Sequence, residues 1–196
     1  MILYLDTETT GLAPGEICQL SYIMQTETQT TKKNFFFAVS FMPPSAQAIH
    51  GFSLEALQTL SGGKKFSDCA SEIANDFASA SLIVAHNISF DFSFLRVEFE
   101  RAGIPFSYKE EFCTMKKFTP LCKLPRKSGV GYKYPRLNEL CEFLGITESD
   151  IDKACASLFS GDVGYHDARF DTTAVYLAVN KAIRRGADIW GLEEKL

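Results

Sequence analysis

Four acids and one histidine stand out by where they fall in the chain: Asp6, Glu8, Asp91, Asp171 and His166. Asp6 and Glu8 close an apolar run, Ile2-Leu3-Tyr4-Leu5, that ends in a turn at Thr10-Gly11. A short apolar run bounded by a glycine turn reads as a strand buried on both faces. The C-terminal edge of such a strand is where open α/β sheets place their chemistry. Residues two apart in a strand point the same way, so the two carboxylates converge. Convergent carboxylates repel unless a proton or a cation lies between them, and a hard divalent ion suits all-oxygen ligands. The plainer reading of the same residues is a strand that ends in a polar turn.

Asp91 and Asp171 pose a sharper problem. Each falls near the start of a segment with helical spacing. Phe94 and Leu95 follow Asp91 at i+3 and i+4, and Ala174, Val175, Ala178 and Val179 repeat the pattern after Asp171. The helix dipole explains an acid in a first turn. It does not explain one on the face turned to the core, where an unpaired charge is costly. His166 stands five residues before Asp171, in the loop entering that helix, and taken alone it reads as a surface histidine. Its neighbour Asp167 reads as a helix cap.

The elements that must position these side chains can be read along the chain. Strands are expected at the N-terminus, at Glu16 to Thr26 with Cys18, Leu20, Tyr22 and Met24 on one side, and at Lys33 to Phe41, which Pro43-Pro44 stops. Ser53 should cap a helix to about Leu60, and a second helix should run from Ser67 to Ser79. A short strand, Leu82 to Ala85, leads through His86-Asn87 to a helix from Phe90 to Ala102, and Glu111 to Thr114 offers a fifth strand. Helices follow at Arg136 to Leu144, Ser149 to Leu158 and Ala168 to Arg185. Three strands followed by strand–helix alternation predict an α/β fold with a mixed sheet and helices on its faces.

The totals set outer bounds. A length of 196 residues suggests one domain, taken here as 1–186 with a short C-terminal tail over 187–196. The tail, with Ile189, Trp190 and Leu192, could make a contact or fold back, and from this length no polymerase or helicase domain is expected. No apolar run approaches membrane-spanning length, and no secretory signal opens the chain. Six scattered cysteines without a C-x-x-C pair fit small buried residues in a reducing compartment, so a cytoplasmic location is expected. A net charge of −4 argues against broad electrostatic wrapping of duplex nucleic acid.

Read jointly, DTETTG at 6–11, AHNISFDFSFL at 85–95 and HDARFD at 166–171 resemble the three motifs of the DEDDh 3′–5′ exonucleases, the proofreading family with a ribonuclease H-like fold. Ser45 to Gly51 (SAQAIHG) is similar to that family's intermotif turn. The resemblance implies a five-stranded mixed sheet, three strands antiparallel and the rest parallel. It also implies that Asp6, Glu8, Asp91 and Asp171 hold two divalent ions, Mg2+ or Mn2+, with His166 as general base. Substrate contacts would come from Thr9, Leu12, Ile49, His50 and Phe90, with Asn87 bracing the second motif and His86 structural. Thr172 stands where the family commonly has a small residue. The implied activity is stepwise release of nucleoside 5′-monophosphates from a 3′ end, single-stranded DNA being favoured as substrate. An exoribonuclease of the same architecture is the nearest rival, since pocket contacts to the 2′-hydroxyl decide that choice. A non-catalytic module that binds nucleic acid or a polymerase is a third reading, against which the intact acidic set speaks.

One stretch lies outside that resemblance. Phe112 to Asn138 contains no acid but carries Lys116, Lys117, Lys123, Arg126, Lys127, Lys133 and Arg136, interleaved with Phe118, Tyr132 and Tyr134. Pro125, Gly129, Gly131 and Pro135 make its middle a loop. Lys123, Arg126, Lys127 and Lys133 are candidates for an arm that holds single-stranded nucleic acid while aromatics stack on bases. The alternative is a solvated loop whose charges aid solubility.

Overall fold

The computed structural model describes residues 1–159 and 166–186. Its centre is β1 (Ile2–Thr9), which pairs antiparallel with β2 (Ile17–Gln25) on one side. β2 in turn pairs antiparallel with β3 (Thr30–Phe36). On its other side β1 pairs parallel with β4 (Leu82–Ala85), and β4 with β5 (Glu111–Cys113), giving the order β3-β2-β1-β4-β5. The expected five-stranded mixed sheet, three strands antiparallel and the rest parallel, is therefore present.

Helices cover both faces. Between β3 and β4 run α1 (Pro44–His50), α2 (Leu54–Ser61) and α3 (Phe66–Ser79), and α4 (Ile88–Ala102) follows β4. After β5 come α5 (Thr114–Cys122), α6 (Leu137–Phe143), α7 (Glu148–Leu158) and α8 (Ala168–Arg184). Strand alternation divides the core in two. Leu3 and Leu5 pack with Phe77, Phe94 and Leu95 of α3 and α4. Tyr4 packs on the opposite face with Phe118, Leu140, Val175 and Val179. Asp6 and Glu8 continue the Tyr4 side, so they emerge beneath α8. None of the described helices is long and apolar enough to cross a membrane.

Several boundaries differ from the sequence reading for identifiable reasons. β3 starts at Thr30 and ends at Phe36, instead of running from Lys33 to Phe41, because its pairing with β2 stops at Gln19 opposite Phe36. Pro44 does end the strand region, but as the first residue of α1, where its missing N–H costs nothing. The segment after β5 is a helix, α5, before the expected loop begins. β2 does not keep Cys18 beside Leu20, Tyr22 and Met24. A bulge between Glu8 and Thr9 breaks the register, so Ile17 joins the large core and Cys18 packs instead with Met42, Ala46 and Leu57. The Ser53 cap is as expected, its side chain accepting from the Ala56 N–H at 3.1 Å.

Phe99 is the hub of the α3–α4 face. Its ring meets Phe66 edge-on at 5.1 Å and stacks on Phe106 at 5.2 Å. Phe99→Ala should cost about 3–5 kcal/mol of stability. Urea unfolding should show a lower midpoint with an unchanged slope; a midpoint equal to the parent's would mean the cluster repacks around the gap.

Candidate active site

The acidic residues are delivered by three elements that meet at the C-terminal edge of β1. Asp6 and Glu8 project from the strand, and Asp171 descends from the first turn of α8. Oxygen atoms of these three carboxylates all lie within 4.8 Å of one another. Asp91 is not part of that trio. It belongs to α4, which covers the other face of the sheet, and its Oδ1 accepts a 2.8 Å hydrogen bond from the Thr7 hydroxyl. Thr7 points away from Asp6 and Glu8 by strand alternation, so it links Asp91 to the strand end from behind.

Gathering this much charge out of water shifts every member. Burial, followed by the charges of Asp171, Asp91 and Glu8, holds the Asp6 carboxyl well above the usual carboxylate range. Glu8 is pushed up to about 9 by burial and then by Asp171, Asp167 and Asp91. Burial raises Asp91 to about 7 against the lowering effect of its Thr7 hydrogen bond. Burial and Asp167 raise Asp171 to about 7. The cluster thus has more negative charge than its protein partners offset. All-oxygen donors this close fit a hard divalent cation.

The N-terminus of α8 is fixed by a network that the sequence motifs did not reveal. Gln19, fully buried on β2, donates from Nε2 to Asp167 Oδ1 at 2.8 Å and accepts from the Ala168 N–H at 3.0 Å. Asp167 caps the helix at the Arg169 N–H and forms a two-pronged pair with the Arg169 guanidinium, at 2.9 and 2.6 Å. The available signal was a glutamine inside a largely apolar strand that also holds Ser21. Thr172, the departure from the resemblance, is fully buried and donates to the Ser21 carbonyl at 3.1 Å, adding a third tie between α8 and β2.

His166 adopts a left-handed backbone (φ 59°) immediately before the cap. It faces a cleft of ≈ 460 Å3 together with Asp6, Asp171, His86, Arg136, Leu137 and Asn138. His86 is structural, as expected: its Nε2 is 3.0 Å from the Pro135 carbonyl and its Nδ1 2.9 Å from the Thr114 hydroxyl. Burial lowers it to about 4, so the ring is neutral, with Nε2–H donating to the carbonyl and Nδ1 accepting. Asn87 braces the second motif through its backbone. It takes a left-handed conformation (φ 66°) that turns β4 into α4, while its side chain makes no cap bond.

The residues expected to meet substrate fall into two kinds. Leu12 is 87% exposed and Ile49 54% exposed, while Phe90 is half-buried against Phe94 with ring centroids 5.0 Å apart. Thr9 and His50 are buried. Thr9 donates to the Gly11 carbonyl at 2.8 Å and shapes the turn. His50 accepts from the Phe52 N–H at Nδ1, bonds to the Thr9 backbone, and is driven toward the neutral form by burial. It fastens the α1 turn to the end of β1, and the neighbouring Ile49 is the one left exposed.

A mixed sheet whose β1 edge carries clustered acids beneath a helix that opens on a histidine defines a nuclease-type hydrolase domain. Residues 3–177 match the RNase T exonuclease family, and the chain belongs to it. Among curated proteins it is similar to the DNA polymerase III subunit epsilon of Rickettsia prowazekii, 36% identical over 105 residues. That match covers 49% of this chain and 43% of that protein. It is also similar to the 3′–5′ exonuclease DinG of Staphylococcus epidermidis, 30% identical over 118 residues, or 58% of this chain and 13% of that protein. In structure it resembles E. coli exonuclease I in complex with a dA16 oligonucleotide, with a TM-score of 0.74 and 18% identity. That likeness covers 96% of this chain and 42% of the other, so the matches span less than half the length of these relatives.

The raised carboxylates make metal-free stability depend on pH. Unfolded carboxyls titrate near 4, and the folded ones hold their protons to about 7 and 9. Their protonated forms therefore favour the folded state fully below about 4, and this contribution is lost as pH rises through 7 and 9. In chelator, the melting temperature should fall between pH 5 and 9, and millimolar Mg2+ or Mn2+ should flatten that fall. A melting temperature equally steep with and without metal would argue against cation binding by the trio.

Proposed function

We propose that this domain is a metal-dependent 3′–5′ exonuclease, residues 1–186 acting as one unit. It would release nucleoside 5′-monophosphates from the 3′ end of single-stranded DNA. The observation that carries this reading is the approach of Asp6, Glu8 and Asp171 within 4.8 Å, where Asp6 and Asp171 line a cleft together with His166. The epsilon likeness, and the DNA oligonucleotide bound by exonuclease I, favour DNA over RNA.

Asp6, Glu8 and Asp171 would hold one divalent ion, and Asp91, the fourth acid of the set, would help to hold a second. Mg2+ or Mn2+ there would supply Lewis acidity to the phosphate and make the attacking water more acidic. His166 accepts the proton of the attacking water at a ring nitrogen. The new P–O bond forms as the bond to the 3′ oxygen of the preceding nucleotide breaks, and that oxygen leaves with its electron pair and is reprotonated. Leu12, Ile49 and Phe90 pack against the terminal base and sugar, with Thr9 and His50 holding the turns that present them. The His50–Thr9 and Gln19–Asp167 ties keep this pocket and the α8 N-terminus in register, which limits the motion that would otherwise lengthen the reacting distance.

The likeness to a polymerase subunit makes a replication or repair protein the proposed partner. The six cysteines, free of disulfides, suit an intracellular compartment.

The test uses Mg2+ or Mn2+ and matched 5′-labelled single-stranded DNA and RNA, with Asp6→Ala as the blank. A ladder shortening from the 3′ end on DNA is expected. His166→Ala should lose about 10²–10⁴-fold in rate while metal affinity persists, whereas Asp6→Ala should lose both. Equal metal affinity in the two variants would sink this division of roles. A ladder mainly on RNA would replace the substrate, and no ladder on either would leave a nucleic-acid-binding module.

A further inference from the structure

The acid-free stretch ahead of α6 folds into an exposed hairpin. Lys133 N–H donates to the Leu124 carbonyl at 2.8 Å, Pro125 bridges Tyr132, and Gly129 N–H closes a turn on the Arg126 carbonyl at 2.9 Å. Gly129 and Gly131 supply the positive φ angles, 75° and 73°, that the tight return requires. Arg126 Nε also donates to the Tyr132 carbonyl at 2.7 Å, so its guanidinium is held along the hairpin.

Residues 125–132 are all exposed, with Val130 at 77%, and Tyr132 and Tyr134 are exposed too. The hairpin buries little against the body, so core packing does not account for its order. Its base is anchored instead at the cleft. His86 holds the Pro135 carbonyl, and the next residue, Arg136, lines the cleft beside Asp6, His166 and Asp171. Of the cations expected to form an arm, Lys133 is committed to Glu139. Lys123, Arg126 and Lys127 form no ion pair among the described residues.

We infer that the hairpin is a docking surface for the single-stranded DNA that leads into the cleft. Lys123, Arg126 and Lys127 contact phosphates, Tyr132 offers a stacking face, and Arg136 continues the track to the site. Charge complementarity is the reason for this occupant. A polyanion approaching clustered carboxylates is repelled, and a chain of net charge −4 offers little general attraction. A local basic, aromatic strip at the mouth offsets that repulsion, and phosphate and base-face contacts are sequence-independent. The inference deepens the exonuclease reading and rests on it for the direction of the strand.

The test compares the parent with Lys123→Ala/Arg126→Ala/Lys127→Ala, which keeps the partners of the hairpin's backbone hydrogen bonds and loses one side-chain bond, from Arg126 to the Tyr132 carbonyl. Binding of an oligodeoxynucleotide of roughly 15–20 nucleotides is measured in chelator across a salt series. Loss of three phosphate contacts should weaken binding on the order of tenfold at low salt and flatten the log–log salt slope by about 2. Tyr132→Ala should weaken binding with the slope unchanged, and parental affinity in that variant would overturn the stacking half of the proposal. Hydrolysis of the p-nitrophenyl ester of thymidine 5′-monophosphate, too small to reach the hairpin, should be equal in all three proteins. Parental affinity and slope in the triple variant would overturn the docking surface. A parent inactive on both ester and oligonucleotide would instead overturn the exonuclease reading, while the chelator binding data still decide the hairpin.

Discussion

Mutual repulsion among buried carboxylates is the constraint to which the rest of this structure answers. Asp6, Glu8 and Asp171 bring their oxygens within 4.8 Å in a partly dry setting, with Asp91 close behind. No chain gathers such groups for stability, since each is driven toward its protonated form. The framework must hold them there regardless. It does so from both sides of the sheet: the aromatic face of α3 and α4 anchors the strand, and the α6–α8 face sets the helix that brings Asp171.

Small polar devices carry the alignment between those faces. Gln19 spans from β2 to the cap of α8, Thr7 reaches the opposite way to Asp91, and Thr172 ties α8 to Ser21. Each is buried and hydrogen-bonded, so breaking any of them leaves an unsatisfied group as well as a displaced helix. The bulge after Glu8 belongs to the same set. By turning Cys18 out of the main core it bends the strand pair at the point where the chemistry sits. Asn87 and His166 supply left-handed residues at the two remaining corners, where strand or loop must turn sharply into a helix.

Charge is segregated along the chain, and the fold makes the two halves adjacent. The clustered acids come from β1 and α8, with Asp91 of α4 behind them, while the acid-free basic stretch runs from β5 to the start of α6. His86 is where the two meet, since its neutral ring holds the carbonyl of Pro135 at the base of the hairpin. A neutral imidazole is suited to that position, because it adds no charge to either side.

The pattern of apolar runs and the spacing of acids were enough to read β1, β4, α8 and the convergence of Asp6 with Glu8, because strand and helix periods are local properties. The same local rules placed Asp91 and Asp171 on inward faces, and the joint order of three motifs supplied the family. What stayed illegible depends on contacts between distant residues. The bulge that reverses Cys18 arises from pairing β2 with β1, the end of β3 from its register against β2, and the Gln19–Asp167 clasp joins residues far apart in sequence. Composition alone also left Lys133 among the free cations, whereas proximity to Glu139 pairs it. Which of the four acids share one set of oxygens, and which stands behind them, was decided by sheet facing: α8 covers the face that Asp6 and Glu8 share, and α4 covers the other.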